Sequence, residues 1–291
     1  MLFSTPCSVT RLELFFFCSG IQTVDFFSKY VLRPDRLLHK PLREQTMSKI
    51  TPCSHTGPIA VTCTDCSLNP ICLPIAVSKD ELVQLDEIIK RGRPLKKGEH
   101  AFNAGEAFRS VYAVRSGSLK TYTVSEDGEE QVTGFYLAGE VLGMDGINTN
   151  KHTNSAKALE SSAICEIPFE RLESLSSKIP SLQRHFFQLM SKEIQSDQQL
   201  IMLLGKKPAE ERIASFLLNI GTRHELRGLS NKFFRLNMSR NDIGNYLGLA
   251  VETVSRTFTR FQQLNIIKTD GKEVEVVDKE QLCALANVPS N

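Results

Sequence analysis

The chain has no run of about eighteen apolar residues, so no stretch of it reads as a membrane-spanning helix. It also lacks a strong charge of either sign. The formal net charge over 291 residues is +2, which excludes a protein that coats nucleic acid by charge alone. The signatures of common catalytic sites are missing. There is no G-x-S-x-G, no phosphate-binding G-x-x-x-x-G-K-[ST] and no H-E-x-x-H. The six histidines lie scattered, each read as a surface or packing residue. No internal repeat or long low-complexity tract stands out. The expectation is a non-enzymatic, cytoplasmic protein with no membrane partner. At 41% hydrophobic content, 291 residues can form two small domains with cores of their own.

The most informative stretch is Ser239–Ile267, SRNDIGNYLGLAVETVSRTFTRFQQLNII. It reads as two helices broken at Gly248. Ser239 can cap the first, with Asp242 as its box partner three residues on, and Ile243 and Leu247 give that helix an inner face. Gly248-Leu249-Ala250 is short enough for the turn of a helix-turn-helix. In the second helix Val251, Val254, Phe258 and Phe261 make one buried stripe. Glu252, Ser255, Arg256 and Thr259 make the opposite, polar face. Arg256 can donate twice to the O6/N7 edge of guanine, Glu252 can accept from the cytosine amine, and Ser255 can serve several partners. The competing reading is an amphipathic hairpin with a solvated face. The segment that follows disfavours it: Asn265–Thr269, Asp270-Gly271 and Glu273–Val277 read as a β-hairpin, the wing of a winged helix-turn-helix. Residues 206–291 hold 13 Lys+Arg against 10 Asp+Glu, a mild excess that fits a reader of bases aided by dimer symmetry.

A second feature is the trio Cys63, Cys66 and Cys72, spaced C-x2-C-x5-C beside Pro70 and Pro74. This is a loop whose thiolates can converge. A centre with four thiolates needs one more ligand, and Cys53, Cys165 and Cys283 are available. Spacing alone leaves structural zinc and an iron–sulfur cluster equally open, with disulfides a distant third. Cys283, in a Leu-Cys-Ala-Leu run, reads as helix core.

Between Pro94 and Ile167, glycines at 98, 105, 117, 128, 139 and 143 separate short β-prone runs such as Val111–Val114, Leu119–Val124 and Gln131–Tyr136. Many short strands with glycine turns suggest a barrel or roll. From Pro180 a long helix runs to about Gly205. Phe187, Met190, Ile194, Asp197, Ile201 and Leu204 recur along it at alternating +3 and +4, a heptad seam for two helices packed side by side. Asp197 is the one charge in that seam. In a two-fold dimer it faces its own copy, and two like charges at ~4 Å repel by several kcal/mol at an effective dielectric near 20.

The segment NDIGNYLGLAVETVSR resembles the DNA-reading unit of the CRP/FNR superfamily of bacterial regulators, and is most similar to the FNR/Anr branch. The similarity runs from about Cys63 to Ala286. It implies an α+β chain: an N-terminal cyclic-nucleotide-binding-like β-roll, a long dimerisation helix and a C-terminal winged helix-turn-helix. It implies that Glu252, Ser255 and Arg256 read a two-fold TTGAT-type half-site in double-stranded DNA. It also implies a [4Fe–4S] cluster on the N-terminal trio plus Cys165, which lies in Ile164-Cys165-Glu166-Ile167-Pro168-Phe169-Glu170, while Cys53 matches no ligand. Oxygen would then act through a monomer–homodimer equilibrium seated on Ile194, Asp197 and Ile201. The matching acidic loop, Ser125–Glu130, touches RNA polymerase in that family. Nucleotide-binding members place a Gly-Glu for the ribose and an Arg-Ser for the phosphate. This chain keeps Gly139-Glu140 but has Asn154-Ser155, so no cyclic nucleotide is expected, and Glu140 reads as structural.

The expected organisation is 1–46 a spurious or disordered extension, 47–80 a Cys-rich arm, 81–168 the roll, 169–205 the dimerisation region and 206–291 the DNA-binding domain. Met47 is the favoured first residue. LELFFFCSGI behind Arg11 hints at a secretion signal, but Glu13 interrupts it and no small-residue cleavage pattern precedes Cys18. Cys7 and Cys18 then carry no role.

Overall fold

The computed structural model describes residues 61–288. The 1–46 extension, the start at Met47, and Cys7, Cys18 and Cys53 lie outside the described residues. The described chain opens on a turn-rich segment with two short 3-10 turns, Asn69–Ile71 and Leu73–Ala76, each with proline as its second residue. Helix α1 (Lys79–Ile88) follows. Ser78 caps it and Glu81 completes a reciprocal capping box, and the helix buries Leu82 and Leu85.

Eight strands come next: β1 (Lys90–Arg91), β2 (His100–Phe102), β3 (Ser110–Ser116), β4 (Ser118–Val124), β5 (Glu130–Leu137), β6 (Val141–Leu142), β7 (Ser155–Ala158) and β8 (Ala163–Pro168). They form two antiparallel sheets, ordered β1-β8-β3-β6 and β2-β7-β4-β5. Phe102, Val114, Leu119, Leu142 and Ala156, drawn from both sheets, share one buried cluster. The six turn glycines read from the sequence all have positive φ, which only glycine adopts without cost. Gly117 has a second constraint: a Cβ there would lie 2.3 Å from Ser162 Oγ, at the tight β3–β4 crossing.

Helix α2 (Phe169–Ser176) leads into α3 (Pro180–Lys206), 27 residues long. The first turns of α3 bury Leu182 and Phe186 in a cluster with Val111, Ile167, Leu172 and Leu175. Beyond them the helix leaves the roll with an apolar face in the open. Phe187, Ile194 and Ile201 are 56%, 58% and 68% exposed. These three seam positions are therefore outside the monomer's own core, whereas Met190 packs against it.

The C-terminal unit comprises α4 (Ala209–Glu225), β9 (Phe233–Arg235), α5 (Arg240–Leu247), α6 (Val251–Gln263), β10 (Ile267–Asp270), β11 (Glu273–Val276) and α7 (Lys279–Ala286). Ser239 caps α5 with Asp242 closing the box, and Gly248 ends it in the left-handed region. Of the four stripe residues Val254, Phe258 and Phe261 are buried and Val251 is half-buried, and Cys283 is buried in α7. The wing differs from the sequence reading in three ways. Asn265, at φ +55, adopts the left-handed conformation just past the end of α6, so the first strand begins only at Ile267. Asp270 pairs with Glu273, which makes the turn Gly271-Lys272 rather than Asp270-Gly271. The sheet also has a third strand, β9, paired to β11.

Candidate metal centre and nucleic-acid interface

The 61–77 segment is fastened to the roll at Cys63. Its backbone N–H donates to Asp86 Oδ1 at 2.7 Å, and Asn69 Nδ2 donates to its carbonyl at 3.1 Å. Asp86 is ion-paired with Arg91, whose guanidinium also reaches Cys63 Sγ at 3.5 Å. Cys165 enters from strand β8, opposite Arg91 on one side and Ala113 on the other. Strand register thus brings the fourth candidate thiol beside the arm.

Burial pushes the Cys63 and Cys72 thiols up to about 12, and the hydrogen bond and charge of Asp86 add to the effect at Cys63. Burial raises Cys165 too, against the opposing pull of Arg91 and Arg115. Cys165 opposes the ionisation of Cys63 and Cys72, and Cys66 opposes that of Cys72 and Cys165. Thiols raised as Cys63, Cys72 and Cys165 are stay protonated unless a cation compensates, and thiol-ligated metals are the usual cation. Among the described residues no three His, Cys, Asp or Glu side chains converge closely enough to hold a metal ion. The donor set suits a soft metal centre, but the turn must draw in over Cys165 to complete it.

At the other end of the molecule, α6 displays Glu252, Ser255 and Arg256 to solvent. Among the described residues the Arg256 side chain makes one hydrogen bond, from Nη2 to Thr253 Oγ1 at 3.4 Å, which leaves its other donors for a base edge. Two devices set α5 against α6. Gly244 admits the turn, since a Cβ there would meet the Leu249 carbonyl at 2.6 Å. The guanidinium of Arg240 lies over the Phe258 ring, 3.3 Å from its centre.

Three charged groups tie these regions together; of them the sequence points only to Glu140, as a structural residue, and to none of the pairings. Arg212 donates to the carbonyls of Leu204, Lys207 and Leu247, at 2.7, 2.8 and 2.9 Å, joining the end of the long helix to the end of α5. Glu140 is ion-paired with Arg223 of α4 and with Arg227 in the turn just past its end. Burial alone would raise its carboxyl, but Arg223 and then Arg227 outweigh that and hold it below the ordinary carboxylate range. The Glu of the Gly-Glu pair is thus engaged by the C-terminal unit. Lys120, 8% exposed, bridges Glu130 at 3.0 Å and Asp242 at 2.8 Å. At Asn154-Ser155, the Asn154 N–H and the preceding Thr153 N–H donate to Asp145 at 2.9 and 2.7 Å, while Ser155 Oγ accepts from Ala104. The Ser125–Glu130 tip is exposed, although Glu130 is committed inward to Lys120. On α3, Asp197 is exposed beside the apolar seam, and what burial it has pushes its carboxyl up.

A two-sheet roll, a long helix with an open apolar face and a winged helix-turn-helix together define a DNA-binding regulator. A family model described as the cyclic nucleotide-binding domain matches residues 92–178, and one described as the Crp-like helix-turn-helix domain matches 211–285. The chain is 58% identical over 224 residues to the transcriptional activator protein Anr of Pseudomonas protegens, spanning 77% of this chain and 92% of that protein. It is 49% identical over 233 residues to the fumarate and nitrate reduction regulatory protein of Vibrio cholerae, spanning 80% and 93%. Among solved structures, FixK2 from Bradyrhizobium japonicum superposes with a TM-score of 0.64 at 27% identity, over 70% of this chain and 99% of that one. The chain belongs to the CRP/FNR superfamily of transcription regulators, on its FNR/Anr branch. No helix among the described residues is long and apolar enough to cross a membrane.

Proposed function

We propose that the chain is an oxygen-responsive regulator whose [4Fe–4S] cluster promotes dimerisation and binding to a TTGAT-type palindrome under anoxia. The observation that carries this reading is the placement of Cys63 against Arg91 of β1, whose register partner on β8 is Cys165. Cys63, Cys66, Cys72 and Cys165 would hold the cluster, which supplies a sulfide-bridged, thiolate-ligated iron centre that oxygen degrades. Cys63 is already fixed to the roll through Asp86 and Arg91, so closing the turn over Cys165 would tie the whole 61–77 segment down. That segment packs on the start of α3 through the buried Leu73. A tightened arm would hold α3 in the position where Phe187, Ile194 and Ile201 meet a second copy despite Asp197. The paired copies would then present two α6 helices one DNA turn apart. Release of the arm returns the chain to monomer, so sensing is a shift in an assembly equilibrium.

In this reading Glu252, Ser255 and Arg256 read bases, the Ser125–Glu130 tip meets RNA polymerase, and no cyclic nucleotide is needed. The names of the Anr and fumarate and nitrate reduction relatives, a transcriptional activator and a regulatory protein, support a regulator of transcription. Arg256→Ala tests the readout. It is expected to cost about 1–3 kcal/mol per half-site and to relax preference at a single G·C position. Binding measured against a panel of half-site variants decides. A loss equal on every sequence would make Arg256 a phosphate contact and overturn the assignment of the α6 face.

A further inference from the structure

Strand β5 is the outer strand of its sheet, in the order β2-β7-β4-β5. A bare outer edge leaves backbone N–H and C=O groups without strand partners. Asn245 of α5 covers this one. Its side-chain Oδ1 accepts from the Val132 N–H, and its Nδ2 donates to the Glu130 carbonyl. These two backbone groups stand two residues apart on β5, so one carboxamide pairs with them as the peptide of a neighbouring strand would. Gln131, between them, returns the contact: its Nε2 donates to the Asn245 carbonyl at 2.9 Å. A second fastening lies beside the first, where Lys120 of β4 bridges Glu130 and Asp242 of α5. A third is aromatic. Tyr246, next along α5, lies 5.1 Å from Phe135 of β5 between ring centres. The first helix of the DNA-reading pair is thus fixed to the β4–β5 hairpin.

The far end of that hairpin is the acidic Ser125–Glu130 tip. It is closed on itself. The Ser125 N–H donates to the Glu129 carbonyl and the Gly128 N–H to the Ser125 carbonyl, each at 3.0 Å, and the Glu129 N–H donates to Ser125 Oγ at 3.2 Å. Glu130 joins this turn directly to the stretch that Asn245 holds. A stiff turn on a held stem keeps one direction relative to α5. We propose that Asn245 is a positioning residue for transcription activation, setting the posture of the acidic tip relative to the DNA-reading helices. This rests on the reading above that the tip meets RNA polymerase. Regulator and polymerase sit on one DNA, so a contact between them is intramolecular. Its effective concentration is set by the reach and stiffness of what joins the two sites. A loosened stem would spread the exposed Glu126, Asp127 and Glu129 over many directions and dilute the contact. Asn245 stands on α5, apart from the Glu252, Ser255 and Arg256 face of α6, so base reading does not depend on its side chain.

The test uses full-length protein prepared without air, as wild type, as Asn245→Ala, and as a tip variant carrying Glu126→Ala with Asp127→Ala. Three quantities are read: affinity for the palindrome, amide exchange over residues 119–137 of the DNA-bound protein, and transcription by purified RNA polymerase at full occupancy of the site. Asn245→Ala is expected to bind the palindrome as wild type does. Exchange at Val132 and through the tip should rise roughly tenfold or more, as the loss of two net hydrogen bonds allows. Transcription per bound dimer should fall about tenfold, because the tethered contact is diluted. The tip variant should lose transcription with its exchange outside the tip unchanged. Gln131→Ala removes the third bond from the exposed side of β5, and should move exchange and transcription the same way by less. It carries the test if Asn245→Ala does not fold. Unchanged exchange in the stem, or faster exchange with wild-type transcription while the tip variant fails, would overturn the positioning role alone. A tip variant that transcribes as wild type would overturn the reading of the tip itself, and the positioning role with it.

Discussion

Anoxic DNA binding is expected to be lost when Cys165 is replaced by serine, by more than about a hundredfold, the upper end of what even outer-shell changes cost a metal site. Serine is nearly isosteric, and β8 is held by backbone pairing to β1 and β3 whatever the side chain, so the fold should survive. The hydroxyl cannot supply the thiolate that a four-sulfur centre needs. Cys63→Ser, Cys66→Ser and Cys72→Ser should behave alike, because each removes one donor from the same set. Cys283→Ser is the control: that thiol is buried in α7 and belongs to the C-terminal unit. Iron content and DNA affinity measured together decide the matter. A Cys165→Ser protein with wild-type iron and wild-type affinity would break the assignment of the fourth ligand.

Asp197→Ala is expected to let the cluster-free protein dimerise in air. Asp197 is exposed on α3 among Ile194 and Ile201, and across a two-fold seam it meets its own copy. Removing a like-charge penalty of about 3 kcal/mol tightens a dimer by roughly a hundredfold, and alanine is also the better helix former. Sedimentation of apo-protein tests this at one concentration. If wild type and variant are both monomers, the charge is not the gate. If wild-type apo-protein is already a tight dimer, the monomer–dimer switch itself fails, and reorientation of the DNA-reading units must take its place.

Much of this architecture could be read from local pattern. The Ser239–Asp242 box, the glycine stop at Gly248 and the Val254-Phe258-Phe261 stripe are all rules of a single helix and its ends, and each appears where those rules put it. The turn glycines of the roll follow the same logic. What the sequence hid is long-range and polar. Glu140 meets Arg223 and Arg227 across more than eighty residues, and Lys120 meets Asp242 across 122. No spacing rule announces such pairs, because they depend on how two units dock. The wing was displaced for a smaller reason: Asn265 could begin a strand or stop a helix, and it stops α6. The thiol trio was visible as a motif, yet its anchorage by Asp86 and Arg91 required the fold.

The most direct test of the account is one anaerobic preparation followed into air. Its absorption spectrum, its iron and acid-labile sulfide content and its sedimentation are recorded on the same sample. The account predicts a brown protein that sediments as a dimer, carries iron and sulfide in equal number, and bleaches in air as it falls to monomer. A colourless protein holding zinc, or a brown one that bleaches without any change in assembly, would contradict it.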